Sequence, residues 1–156
     1  MRSKLLQQAT VGATIVPQVV TLTAGAATIT GAQVARVNDN GALGLCRSAY
    51  VVMQTGLSSS HDMVFTPTVY ESDTSGSGDA LVTLSGTLPT VTGTSAAGET
   101  VGFFLKLDGL KKFVSVKMVA AGTSTETCPI SCSIILGDGS VESLPRGTVP
   151  TVYAKA

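Results

Sequence analysis

The stretch that most constrains this chain runs from Val101 to Ala120, VGFFLKLDGLKKFVSVKMVA. In its second half Val114, Val116, Met118 and Ala120 fall on one side, and Phe113, Ser115, Lys117 and Val119 on the other. A period of two marks a half-buried strand. The first half, Gly102 to Leu107, is apolar and aromatic and reads as a second strand. Between them, Asp108-Gly109 tolerates the positive φ of a tight reversal. The expectation is a β-hairpin, or two adjacent strands joined by a short loop. A helix over GLKKFVSVKMVAA is the competitor, and its β-branched residues and flanking glycines argue against it.

The rest of the chain repeats this pattern. Val19–Thr23 reads as a strand, Gly25 begins a small-residue turn, and Ala27–Thr30 can pair back. Asn38-Asp39-Asn40-Gly41 is the strongest turn cluster. Strands follow at Leu43–Gln54, Met63–Tyr70, Ala80–Leu84 and Ile130–Leu136. Pro67 removes a backbone donor and places its strand at an edge or a bulge. Glu71 to Asp79 is a polar loop, Ser85 to Glu99 is loop with one short strand, and Gly122 to Thr127 is loop. Pro145, Gly147 and Pro150 mark a coiled tail, with a last short strand at Thr151–Ala154. About eight short strands with no convincing helix predict an all-β fold, an antiparallel β-sandwich or jelly roll. A length of 156 residues suits one domain. Residues 1–17 lack a settled period and read as an N-terminal arm, leaving 18–156 as the β domain.

Composition narrows the function. Charged residues are 13% of the chain, and ten basic and ten acidic side chains cancel. Neutrality favours association, so the chain suits a protein that works assembled, as a homo-oligomer. No basic excess is present to hold nucleic acid by counterion release. No apolar run of about 18 residues predicts a membrane helix. Cys46, Cys128 and Cys132 are an odd set without metal-ligand spacing, and they read as small buried apolar residues of a protein made in a reducing compartment.

Candidate chemistry is sparse. Ser58-Ser59-Ser60-His61-Asp62 contains the residue types of a hydrolase, but no nucleophile-elbow motif, and triad members come from separated parts of a chain. Asp73, Ser75, Ser77 and Asp79 echo an alternating calcium loop, yet position twelve would be Leu84 rather than Glu. No phosphate loop, carboxylate dyad or cofactor fingerprint is present, so no cofactor and no enzyme activity are expected. Partner binding is expected instead. The candidates are Leu5, Leu6, Val11 and Ile15 in the arm, docking on a neighbour by strand addition, and Lys111 and Lys112 after the turn, meeting an acidic patch.

Val69-Tyr70-Glu71-Ser72-Asp73 with its Ser/Gly loop, then Leu110-Lys111-Lys112-Phe113-Val114-Ser115-Val116, then Ser133-Ile134-Ile135-Leu136-Gly137, resembles small structural proteins of tailed bacteriophages. Such proteins carry an ESDDGS-like loop, a GxKRYVRV-like strand and a closing strand ending in Leu-Gly. The chain departs from them at Lys111-Lys112-Phe113 and Ser115, where relatives favour Arg and Tyr. The resemblance spans roughly Val64 to Gly137 and is closest to capsid decoration, or cement, proteins. It implies a virion protein made in the host cytoplasm. That protein would bind the phage major capsid protein on the outer head surface and bridge its subunits against the pressure of packaged DNA. The alternatives are a tail-tube, head–tail connector or carbohydrate-binding virion module, and a small hydrolase using His61.

Overall fold

A computed structural model describes residues 10–36, 46–76, 78–137 and 152–156. Nine strands are described: β1 (Thr10–Thr30), β2 (Val34–Ala35), β3 (Ser48–Thr55), β4 (Met63–Ser72), β5 (Ala80–Leu81), β6 (Val91–Gly93), β7 (Thr100–Lys106), β8 (Phe113–Gly137) and β9 (Val152–Tyr153). The fold is all-β, a curled sheet of the sandwich or jelly-roll type. The turn cluster at Asn38–Gly41 and the tail prolines lie outside the described residues.

The sheet is organised around β8, which is 25 residues long. Its first part pairs with β4, from Phe113 opposite Ser72 to Ala121 opposite Val64. Its last part pairs with β3, from Ile130 opposite Thr55 to Gly137 opposite Ser48. Along its other edge run β1 and then β2, so β8 joins both halves of the curl. The expected alternation holds through the first part: Val114, Val116, Met118 and Ala120 are fully buried. The same parity continues through Cys128, Ile130, Cys132, Ile134 and Leu136, giving the two halves one shared core with Phe65, Phe103 and Leu105.

The opening hairpin is half correct. Asp108-Gly109 does reverse the chain, with Gly109 at φ 78° and Leu110 N–H donating to the Leu107 carbonyl at 3.0 Å. However, β7 pairs with β3 and β9, not with β8. The turn is an arch between the two halves of the sheet, because β3 sits between the flanking strands. Arg36 holds that arch from below. It is 4% exposed, and its guanidinium donates to the carbonyls of Leu110, of Lys111 at 3.0 Å and of Cys46 at 2.9 Å. Burial lowers the Arg36 pKa, against the opposing pull of Cys46, Asp108 and Glu71.

A second correction concerns the N-terminal third. Val19–Thr23 and Ala27–Thr30 are not two paired strands but parts of β1, which pairs with β8 throughout. Gly25 lies at a register irregularity, with φ 101°. One slipped residue exchanges the faces of a strand. Accordingly Val20 and Leu22 are buried before the slip and Ile29 after it. Gly122–Thr127, expected as loop, is the part of β8 opposite this region. The expected arm boundary at residue 17 also falls inside β1. Thr10–Ala13 face Leu136–Ser133 of the same chain, and Ile15 is 1% exposed in the chain's own core. A second irregularity between Ile15 and Gln18 accommodates Pro17. Pro67, expected at an edge or bulge, faces Met118 on one side; β6 and β5 pair with β4 on either side of it, at Phe65 and Tyr70.

The C-terminus closes the curl. β9 adds to β7 in parallel, and Leu84 bridges to Lys155. Ser85 N–H donates to the Ala154 carbonyl at 2.8 Å and Ala156 N–H to the Thr83 carbonyl at 2.9 Å.

Candidate functional site

Three places in the fold concentrate polar or exposed apolar groups. The first is where the 71–79 loop meets the lysines. Glu71 ends β4 on the buried side. Its Oε1 takes the Lys155 ammonium at 2.7 Å, and its Oε2 takes the Lys111 amide at 2.9 Å. Burial pushes the Glu71 carboxyl up, but the Lys155 hydrogen bond, the Lys111 amide and the two lysine charges outweigh it and hold it below its ordinary value. Lys111 Nζ reaches Asp73 at 3.1 Å, and Lys117 Nζ reaches Asp79 at 3.2 Å while lying 4.0 Å from the Tyr70 ring centroid. Gln33 ties the loop down, donating to Asp79 at 2.6 Å and accepting from the Gly76 amide at 2.7 Å. Asp73 and Asp79 therefore turn to separate lysines. Among the described residues no cluster of three metal-ligating side chains occurs.

The second place surrounds His61. Its Nδ1 lies 3.2 Å from Ser60 Oγ and 3.0 Å from Ser124 Oγ, and Ser124 donates to Glu126 Oε1 at 2.9 Å. Ser124 Oγ, donating to Glu126, is left to accept from His61 in the tautomer that carries a proton on Nδ1. Glu126 is fully buried, while the His61 side chain is 64% exposed. Glu126 Oε2 has no partner and rests against Gly122, where a Cβ would stand 2.8 Å from it. Ser124 and Glu126 were missed by sequence reasoning because their segment carries loop-like residue types. A triad needs the nucleophile and the carboxylate on opposite imidazole nitrogens; here all the oxygens gather at Nδ1. The expected neighbours Ser58, Ser59 and Asp62 do not complete one. Ser58 Oγ is buried without a partner, and Ser59 bonds the Thr127 amide at 2.9 Å.

The third place is apolar. Across four strands, Ile135 aligns with Tyr50, Tyr50 with Phe104, and Phe104 with Val152. The Tyr50 and Phe104 rings lie 4.6 Å apart on this outward side, half-buried, and Val152 is 40% exposed. Beside it an open groove of about 510 Å³ runs between Pro17-Gln18-Val19 and Gln54-Thr55, over Pro129 and Ile130. None of its lining residues is charged or aromatic.

Of the expected partner-binding residues, Leu5 and Leu6 lie outside the described residues. The Val11 backbone pairs with Ile135, and Ile15 is in the core. Lys111 is engaged with Asp73, and the exposed Lys112 lies 6.0 Å from the Phe113 ring centroid.

No protein-family model matches the sequence, and no curated protein sequence matches it. A solved structure does share the fold. A chain in the structure of infectious bursal disease virus, Gx strain, superposes over 88% of this chain with a TM-score of 0.53 and 12% identity. The present chain spans about a third of that one, 34% of its length. The CBM22-1 xylan-binding domain of Xyn10C from Paenibacillus barcinonensis is similar over 83% of this chain and 87% of its own, at a TM-score of 0.42 and 10% identity.

Proposed function

We propose that this protein is a structural component of a virus particle. More finely, we assign it to the decoration proteins that bind the outside of a tailed-phage head as homo-oligomers and bridge major-capsid subunits. The observation that carries this reading is the fold shared, over nearly nine-tenths of the protein, with a chain in the structure of a virus. Three features support it. The chain is neutral, as suits a protein that works assembled. The His61 cluster lacks the geometry of a catalytic triad. The outer row of Tyr50, Phe104, Ile135 and Val152, with exposed Lys112 at the arch, offers apolar and cationic groups for a partner surface. Repetition of a modest contact around a shell adds avidity.

The test is quantitative mass spectrometry of purified particles of the source virus, with labelled-antibody imaging. The expected result is many copies per particle, located on the head. A handful of copies at the tail or connector would favour that alternative. Absence from particles would overturn the virion reading.

A further inference from the structure

The longest uncharged stretch of this chain contains a strand with an open edge among the described residues. Between Lys4 and Arg36 there is no charged side chain. Among the described residues, β1 is bonded into the sheet through β8 along one edge. Near its start the other edge is occupied, since Ala32 N–H donates to the Thr14 carbonyl at 2.6 Å. From Gln18 to Thr23 no hydrogen bond from any described residue reaches that outer edge.

Soluble proteins ordinarily guard an open edge with lysine, proline, a bulge or a covering segment. Here Pro17 guards one end and the irregularity at Gly25 the other. Between them Gln18-Val19-Val20-Thr21-Leu22-Thr23 stays unguarded. Val20 and Leu22 face the core, while Thr21 and Thr23 are exposed and Val19 is 63% exposed. The uncharged groove lies on the other, β8-paired side of β1, over Pro129 and Ile130. Val16, next to its lining residue Pro17, is 61% exposed, and Leu57, next to Gly56, is 57% exposed.

We propose that this edge is where two copies of the chain meet, β1 against β1, antiparallel about a two-fold axis. An acidic or basic partner would find no complementary charge here. A second copy presents the same uncharged edge and, at zero net charge, no long-range repulsion. The residue pattern also matches itself. With Thr21 on the axis, Val20 lies opposite the partner's Leu22 on the core side, and Val19 opposite the partner's Thr23 on the outer side. Residues directly opposite in an antiparallel pair share a face, so this register keeps both apolar sides aligned. An isologous pairing uses up both edges and closes, which disfavours filaments. Five paired residues, 19 to 23, give an edge about 17 Å long. That is smaller than the roughly 800 Å² per partner of a standard interface, so the dimer is weak and is reinforced where copies are arrayed. This inference deepens the assembly part of the virion reading and is tested apart from it.

The experiment is sedimentation velocity on the full chain across roughly 1 µM to 1 mM, the range suited to a small interface. A reversible monomer–dimer equilibrium is expected. Thr21→Lys and Thr21→Glu should each weaken it about fivefold or more, because like charges then oppose one another at the axis. An equimolar mixture of the two variants should restore it. Thr21 is exposed, so circular dichroism should show both variants folded as the parent. A parent chain that stays monomeric, or dimers indifferent to both substitutions, would overturn the proposal. A dimer that behaves as described but is absent from particles would overturn the virion reading alone.

Discussion

Replacing Lys155 by Met probes how the C-terminus holds the curl closed. The Glu71 side chain is 6% exposed, and Lys155 supplies the ammonium 2.7 Å from its Oε1. Removing one partner of a fully buried pair costs about 3–5 kcal/mol, because the other charge is left stranded. Lys155 is 38% exposed and Glu71 keeps the Lys111 amide, so solvent and that hydrogen bond recover much of the loss. The expected cost is about 1–2 kcal/mol. For a chain of this size that is a fall in melting temperature of roughly 2–8 °C. The pH dependence carries a sign. The Glu71 pKa is depressed in the folded state, so its contribution is present above the ordinary value of 4.5 and is lost as pH falls through the folded pKa. Thermal melts of parent and Lys155→Met from pH 7 to pH 3 should therefore show a gap that narrows on the acid side. Lys106→Met is the control, since its pair with Asp108 is exposed at both ends, 57% and 52%. Equal melting temperatures at pH 7, or a gap that does not change with pH, would refute the clamp.

Phe103→Ala should destabilise by about 3–5 kcal/mol in urea titration, since Phe103 is 1% exposed and packs edge-on against Tyr153 at 5.7 Å. A loss under about 1 kcal/mol would mean the β7–β9 side of the core is loosely packed. Cys46, Cys128 and Cys132 are buried and in no disulfide, and burial pushes the Cys132 thiol up to about 12 and raises Cys128 as well. A thiol reagent at mildly alkaline pH should leave all three unlabelled in the native protein and titrate three after denaturation; rapid native labelling would contradict their placement.

The residues that announced the fold were those with an unbroken period. Val114, Val116, Met118 and Ala120 alternate in the sequence and are buried in the structure as written, because a strand with one dry face must bury one residue in two; Ser115, on the other side, is buried as well. The Asp108-Gly109 reversal was legible for a similarly local reason, since the positive φ at Gly109 is a property of the dipeptide. What the sequence could not carry was pairing. The residues flanking that turn look like a hairpin, yet β3, drawn from residues 48–55, lies between β7 and β8. β1 was read as two strands because its alternation changes phase at Gly25, and a phase change looks the same in sequence whether the chain turns or slips by one residue. Ser124 and Glu126 became neighbours of His61 only when GTSTET was drawn into the long strand opposite β1, where polar residues can be strand because the pairing partner fixes their backbone. Likewise Glu71 and Lys155 are 84 positions apart, and nothing in either neighbourhood marks them as a pair. Local pattern thus determined extension and the dry side only where the alternation is unbroken, and not at Gly122–Thr127. Long-range pairing, which depends on the geometry of the whole sheet, decided the register, the closing of the curl and every cluster of polar side chains.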